Sequence, residues 1–385
     1  MKVSVVPCNS YDPTQAEAAL RQALEPLGGL DWVTPGMTVA VKANLVTFLK
    51  PEAAATTHPV LLCALVKLLK ERGARVIVGD SPGGLYTKVY LDRIYGVTGM
   101  KAVEEAGGEL NRDFEIKDAS FPDAKEAKAF TYTGWLDHAD AIVDFCKLKT
   151  HGMMAMSGAA KNMFGVVPGT AKPEYHYRYP DPDRFADMIL DLNDYFKPIL
   201  SITDGVVGME GNGPTAGTPR KIGVIIASDS PHAADLIGAD LIGLKAEDVP
   251  TLQAAVRRGL IPKTPEELDV VGDWKPFIVP DYQRVETTHS LRFNKESHTF
   301  FGRISSTFMD KALASKPVLN PDECIGCREC FKICPAKAIE MVNKKPIINR
   351  KNCIRCFCCQ EFCPKGALKV KRTWIAKLLI KENKN

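Results

Sequence analysis

The sequence predicts an α/β fold, a mostly parallel sheet with flanking helices, followed by a small C-terminal module of a different kind. Three observations carry that expectation. From residue 1 to about 260, β-branched runs alternate with patterns of helical period, as in sheets built from strand–helix–strand units. Several of the runs end in small or polar clusters, the places where open parallel sheets hold their ligands. Nine of the twelve cysteines fall between Cys324 and Cys363, while Cys8, Cys63 and Cys146 are scattered.

The chain opens on Met1-Lys2-Val3-Ser4-Val5-Val6, a short strand that meets polar Asn9 and Ser10 before a long apolar core could form, so no signal peptide is read there. Further strands are expected at Thr38 to Ala43, Arg75 to Gly79, Ala141 to Phe145, Ile199 to Thr203 and Ile222 to Ala227. Helices are expected at Thr14 to Leu24, Pro59 to Arg72, Thr98 to Ala106, Asp183 to Tyr195 and Pro231 to Ile242. Pro59 and Pro231 sit where a first helical turn tolerates a missing N–H. The alternation divides the chain into an α/β domain over 1–300, a connector over 301–320, a cysteine-rich domain over 321–371 and a basic tail over 372–385. In the tail, Trp374, Ile375, Leu378 and Leu379 have helical spacing among lysines; such a helix docks on the body or a partner more readily than on a membrane.

Composition is that of an ordinary globular protein, and the net charge of +4 hides an asymmetry. Residues 321–385 carry 15 Lys plus Arg against 6 Asp plus Glu, so the remainder is slightly acidic. The longest apolar runs, such as Val60 to Leu69, are about one core helix long, well short of the roughly 20 residues a membrane span needs. A cytoplasmic protein is expected, where thiols stay reduced and dense cysteines favour metal over disulfides.

Cys324-Ile-Gly-Cys327-Arg-Glu-Cys330-Phe-Lys-Ile-Cys334-Pro335 has the spacing C-x2-C-x2-C-x3-C-P, and Cys353-Ile-Arg-Cys356-Phe-Cys-Cys359-Gln-Glu-Phe-Cys363-Pro364 repeats it 29 residues later. One tight turn aims three thiolates at one cluster, and the fourth cysteine lies a helical turn further on. Zinc would ask for ligand pairs closing tetrahedra, which triple runs fit poorly, and a disulfide framework conflicts with the missing signal peptide. The stretch resembles the bacterial two-cluster [4Fe-4S] ferredoxins, small α+β domains in which the fourth cysteine of each run serves the other cluster. The resemblance implies Cys324, Cys327, Cys330 and Cys363 on one cluster, and Cys353, Cys356, Cys359 and Cys334 on the other. Cys358 is surplus to the motif. Each oxidised cluster with four thiolates leaves about −2, which offsets part of the basic excess, so nucleic-acid binding is not needed to explain it.

The first domain holds no P-loop, dinucleotide glycine fingerprint, zinc-protease helix or nucleophile elbow. It does hold Val41-Lys42-Ala43-Asn44-Leu45-Val46, Gly79-Asp80-Ser81-Pro82-Gly83, Lys147-Leu-Lys149-Thr150-His151, Lys161-Asn162-Met-Phe164-Gly165-Val-Val-Pro168-Gly169 and Asp204-Gly205-Val-Val-Gly208-Met-Glu210-Gly211-Asn-Gly213-Pro214. With the Ala227 to Asp235 stretch, these resemble domain of unknown function 362, often fused to a ferredoxin module. That resemblance brings no established reaction.

The chemistry must come from the residues. Lys42, Lys147, Lys149, His151, Lys161, Lys172 and His176 are expected on strand ends or the loops after them. A single lysine is usually a solvated surface group, but several facing one crevice make a pocket for a carboxylate, a phosphate or a cofactor carrying them. Lys42, Asn44, Asp80, Lys147, Lys161, Asn162 and Asp204 are the expected binding residues, for an anionic cofactor or a divalent metal. His151, His176 and Lys149 are the candidate catalytic groups, the imidazoles as proton donors. The leading expectation is an oxidoreductase that passes low-potential electrons, as used in anaerobic metabolism, to a small anionic substrate. Its rivals are a ferredoxin-like carrier or maturation factor that docks a redox partner protein, and a redox-sensing binding protein.

Overall fold

A computed structural model describes residues 1–285 and 315–372 of the protein. The tail residues Trp374, Ile375, Leu378 and Leu379, and most of the expected connector, lie outside the described residues. Eleven strands belong to the first domain: β1 (Lys2–Pro7), β2 (Thr38–Lys42), β3 (Arg75–Gly79), β4 (Glu109–Leu110), β5 (Ile116–Ser120), β6 (Ala129–Thr133), β7 (Ala141–His151), β8 (Ala155–Ser157), β9 (Leu200–Glu210), β10 (Thr218–Ser228) and β11 (Asp269–Val271). Nine of them form one sheet in the order β11-β1-β10-β9-β7-β2-β3-β4, with β8 paired to β7, while β5 and β6 make a separate hairpin. The pairs β2–β3, β2–β7, β3–β4, β7–β9 and β1–β11 are parallel, and β10 is antiparallel to both β1 and β9.

Helices cover both faces, so the central strands read as near-continuous apolar runs. Val39, Val41, Val76, Val78 and Phe145 pack under the helices Pro13–Leu24 and Pro59–Glu71. On the other face Ile142, Leu148, Val224 and Ile226 pack under Pro182–Phe196 and Pro231–Leu241. The helix starts follow the local sequence. Asp12, Asp181 and Ser230 accept bonds from first-turn amides, and each is followed by proline at the first helical position.

The expected strands and helices form, with three differences. β7 and β9 run on well beyond the expected Phe145 and Thr203, through Lys147, Lys149, His151 and Asp204, so these residues lie within strands and not on loops. The alternation Lys-Leu-Lys-Thr-His has period two and suits a strand, and all eleven residues of β7 are buried. The helix expected at Thr98 to Ala106 is confined to Ala102–Glu105, and a longer one at Lys88–Val97 precedes it. Finally, Lys316–Leu319, expected at the end of the connector, is a strand of the cysteine-rich domain.

That strand, β12 (Lys316–Leu319), pairs antiparallel with β15 (Leu368–Lys371), and β13 (Ile339–Val342) pairs with β14 (Lys345–Ile348). Asn343 and Lys344, both at positive φ, turn the second hairpin. Short helices at Glu329–Ile333 and Cys358–Glu361 occupy equivalent places in the two halves.

The small domain is clamped to the loop between β9 and β10. Gln360 Nε2 donates to the carbonyls of Asn212 and Gly213 at 2.9 and 3.1 Å, Asn212 Nδ2 donates to Leu368 O, and Thr215 Oγ1 donates to Glu361 O. Phe357 and Val370 join the apolar core of the large domain. Among the described residues no helix is long and apolar enough to cross a membrane.

Candidate functional site

The small domain contains two hollows, each lined by four cysteines. Cys324, Cys327, Cys330 and Cys363 line one, and Cys334, Cys353, Cys356 and Cys359 line the other. Each hollow therefore draws three thiols from one run and the fourth from the other run. Gly326 turns the first run at φ +71°, where a Cβ would come within 2.9 Å of Lys344 O. Its counterpart Arg355 adopts φ +60° with a full side chain. Among the described residues all the cysteines are free thiols, and each set of four could hold an iron–sulfur cluster. Cys358 lines neither hollow.

A larger cavity of about 710 Å³ lies between the two domains. One wall is basic: Lys149, Lys161 and Lys172 line it together with His176. The facing wall comes from the small domain and contains Cys358, Glu361, Phe362 and Cys363, with Glu329, Lys365 and Lys369. Cys363 thus borders both the first hollow and the cavity.

The hydrogen-bond acceptors of Lys149 and Lys172 are neutral. Lys149 Nζ donates to Asn44 Oδ1 at 2.5 Å and to Ala55 O at 2.6 Å, Lys172 Nζ donates to Ser81 O, and Lys161 Nζ stands 5.8 Å from the Phe164 ring centroid. Burial opposes their charge. Lys149 is pulled down to about 7 by burial and then by Lys161, Lys172 to about 7 by burial, and Lys161 moves in the same direction for the same first reason.

The short helix Ala159–Asn162 carries Lys161, and its position is fixed from below. The Asp235 carboxylate accepts from the amides of Ala159 and Ala160 at 2.6 and 3.0 Å. A Cβ on Gly158 would lie 2.1 Å from Asp235 Oδ1, so this approach requires glycine. Burial raises Asp235 to about 7, against the two amides that favour its charged form.

The remaining expected residues separate into two groups. Lys42 pairs with Asp80 at 2.7 Å and both are buried; Asp80 also accepts from Leu45 N. Asn162 joins this network, accepting from Asn44 Nδ2 and Lys42 Nζ and donating to Asp144, so Asn44, Asp80 and Asn162 are cavity-lining groups with Lys42 behind them. Lys147 and Asp204 form a fully buried pair at 2.6 Å, which Tyr11 and the His58 amide complete. They are not among the residues that line the cavity. The Gly79–Gly84 turn holds no open amide row for a phosphate at its start: Ser81 N donates to Gly165 O and Gly83 N to Val46 O.

The two histidines have different places. His176 faces the cavity, its ring stacked 4.4 Å from Phe185, and burial pushes it down to about 3, so it is a neutral imidazole. His151 does not line the cavity. Its Nδ1 accepts from Met153 N and Met154 N, which leaves the ring proton on Nε2, 2.9 Å from Glu361 Oε1. Burial, then Lys161, lowers His151 to about 4. Burial works to raise Glu361, but His151 and Lys161 hold it down at about 2. The contact is therefore a neutral ring against a carboxylate, across the boundary between the domains.

Sequence reasoning missed Glu361, Phe362, Phe48 and Tyr90, all of which line the cavity. One signal was present for Glu361: the repeat places it where the first half has Lys332.

Comparison with known proteins bears on this architecture. Residues 39–240 match the model of the domain of unknown function DUF362, and residues 316–364 match a 4Fe-4S dicluster domain. The chain belongs to the DUF362 family and carries an iron–sulfur domain of the dicluster type. It is 33% identical over 328 residues to the thylakoid-associated protein sll1697 of Synechocystis sp. (strain ATCC 27184 / PCC 6803 / Kazusa), covering 78% of this chain and 98% of that one. Among solved structures it is similar to the lactate racemase apoprotein of Thermoanaerobacterium thermosaccharolyticum, at 12% identity and TM-score 0.40, covering 64% of this chain and 57% of that one. A Thermotoga maritima protein matches at 14% identity and TM-score 0.34, covering 56% and 55%.

Proposed function

We propose that the protein is a cytoplasmic iron–sulfur oxidoreductase in which two [4Fe-4S] clusters, when bound, supply low-potential single electrons to an anionic substrate or cofactor in the cavity between the domains. The observation that carries this reading is the shared cavity, in which Lys149, Lys161 and Lys172 of the large domain line the same space as Cys363 of the small one. Cys324, Cys327, Cys330 and Cys363 would hold one cluster, and Cys334, Cys353, Cys356 and Cys359 the second.

Lys149, Lys161 and Lys172 bind and orient the anion. Lys149 and Lys172, drawn down to about 7, hold protons that they can release near neutral pH, as a general acid must. His176 offers a neutral ring nitrogen to the same space. His151 and Glu361 act at one remove, holding the small domain in register with the lysine wall. The first cysteine run leaves Ile325, Cys327 and Phe331 exposed, a surface open to a redox partner protein.

The test is anaerobic reconstitution with iron analysis, followed by oxidation of the reduced protein by candidate anions. About eight irons per chain are expected, and Lys149→Ala and Lys161→Gln should abolish the anion-dependent oxidation with iron content unchanged. Oxidation that survives both substitutions would remove the cavity from the mechanism and leave a simple carrier.

A further inference from the structure

The cavity lining contains a group of polar side chains and a group of aromatic ones. The lysine heads, His176 and the Asn44–Asn162 pair form the polar part; of the small-domain carboxylates that line the cavity, Glu361 is engaged with His151 and Glu329 with Lys332. The other part is aromatic. Phe48 and Tyr90 meet edge to face with centroids 4.8 Å apart, and the Arg93 guanidinium sits 4.8 Å from the Phe48 centroid. Tyr90 is fixed by its hydroxyl, which donates to Gly83 O at 2.8 Å. Phe362 reaches the same point from the small domain: a Cβ on Gly83 would lie 2.7 Å from Phe362 Cζ. Cys363 follows Phe362 directly in the wall.

We infer that the occupant of this cavity is a planar, ring-bearing anion, with its acid group on Lys149, Lys161 and Lys172 and its ring among Phe48, Tyr90 and Phe362, beside Cys363. The inference rests on the proposed reading of the cavity as an anion site and narrows it. Three partly desolvated ammonium groups, two of which donate to neutral acceptors, are stabilised by an anionic partner. Aromatic walls are best covered by flat rings. A volume of about 710 Å³ falls within the roughly 300–1,000 Å³ of pockets that enclose drug-sized ligands. Small aliphatic acids would satisfy the lysines but leave the aromatic part wet.

The experiment uses the full chain, reconstituted and kept oxidised under anaerobic conditions, and needs no turnover. Three probes are titrated by calorimetry: flavin mononucleotide, which joins a planar ring to a phosphate; riboflavin, which has the ring alone; and succinate, which has acid groups alone. Flavin mononucleotide should bind at least about tenfold more tightly than either of the others, a difference of about 1.4 kcal/mol. Lys161→Gln should weaken flavin mononucleotide and leave riboflavin unchanged, whereas Phe48→Ala should weaken both. Succinate binding as tightly as flavin mononucleotide, or a Phe48→Ala variant that binds it normally, would overturn the planar class and leave the anion site standing. Failure of both phosphate and carboxylate probes to bind would overturn the anion site as well. Iron content, measured on the same samples, reports separately on the redox reading.

Discussion

The two halves of the small domain share one cysteine pattern and present opposite faces. In the first half Cys327 and Lys332 are exposed and Phe331 is 48% exposed; at the equivalent places in the second half Cys356 is buried and Gln360 is 0% exposed, with Glu361 against His151. Arg328 and Phe357 match in position and in backbone, with φ of 70° and 63°, yet Arg328 is exposed whereas Phe357 is buried against the large domain. Thiol spacing sets the internal architecture of each half, and the residues between the thiols decide which half docks. The docked run brings Cys358 and Cys363 to the lysine cavity, and of these Cys363, its fourth cysteine, also belongs to the hollow of the exposed run.

The largest contrast should come from the thiols themselves. Cys327→Ser and Cys356→Ser should each lower the iron content from about eight to about four per chain, but only Cys356→Ser should also loosen the domain interface, read as faster proteolysis between the domains. Equal sensitivity would erase the distinction between the halves.

Substitutions between the thiols come next. Gln360→Ala removes a buried donor from two carbonyls, and Glu361→Ala leaves the His151 Nε2 proton facing a void; each should cost about 1–3 kcal/mol. Phe331→Ala and Lys332→Ala, at the equivalent exposed places, should stay within about 0.5 kcal/mol. Denaturant unfolding of the four variants checks this, and comparable losses in both halves would contradict the docked geometry.

A smaller effect concerns pH. Lys149, with Lys161, Asp80, Glu361 and Lys147 as its charged neighbours, is lowered to about 7, burial being the first cause. The ammonium is the form that attracts an anion, so affinity should be highest below pH 7 and fall as the pH rises through it, approaching about tenfold per unit above it if the neutral amine contributes nothing. The same titration with Lys149→Ala should be flatter. A wild-type affinity that increases from pH 6 to 8 would refute the assignment.

Much of this architecture was legible in the sequence, because it rests on periodicity and spacing. The alternation that marks β2, β3 and β10, the prolines that open the helices and the duplicated cysteine runs are all local signals. What was not legible depends on distance in space. Nothing local shows that Lys147 is taken by Asp204, 57 residues away, while Lys149, two residues on, reaches the cavity. His151 read as a proton donor because imidazole titrates near neutrality; its two backbone donors and Glu361, 210 residues further on, place it instead at the domain boundary. The aromatic part of the cavity comes from Phe48 and Tyr90, which meet within the large domain, and from Phe362, which only the docked arrangement adds.

The most direct test of the account is EPR of the anaerobically reconstituted, dithionite-reduced full chain, whose signal should include that of the cluster held by Cys324, Cys327, Cys330 and Cys363. Adding flavin mononucleotide should change that signal, and introducing Lys149→Ala with Lys161→Gln should remove the change. A protein that contains zinc or no iron, or a signal that stays the same while the anion is demonstrably bound, would contradict a thiol-held iron–sulfur site bordering the lysine cavity.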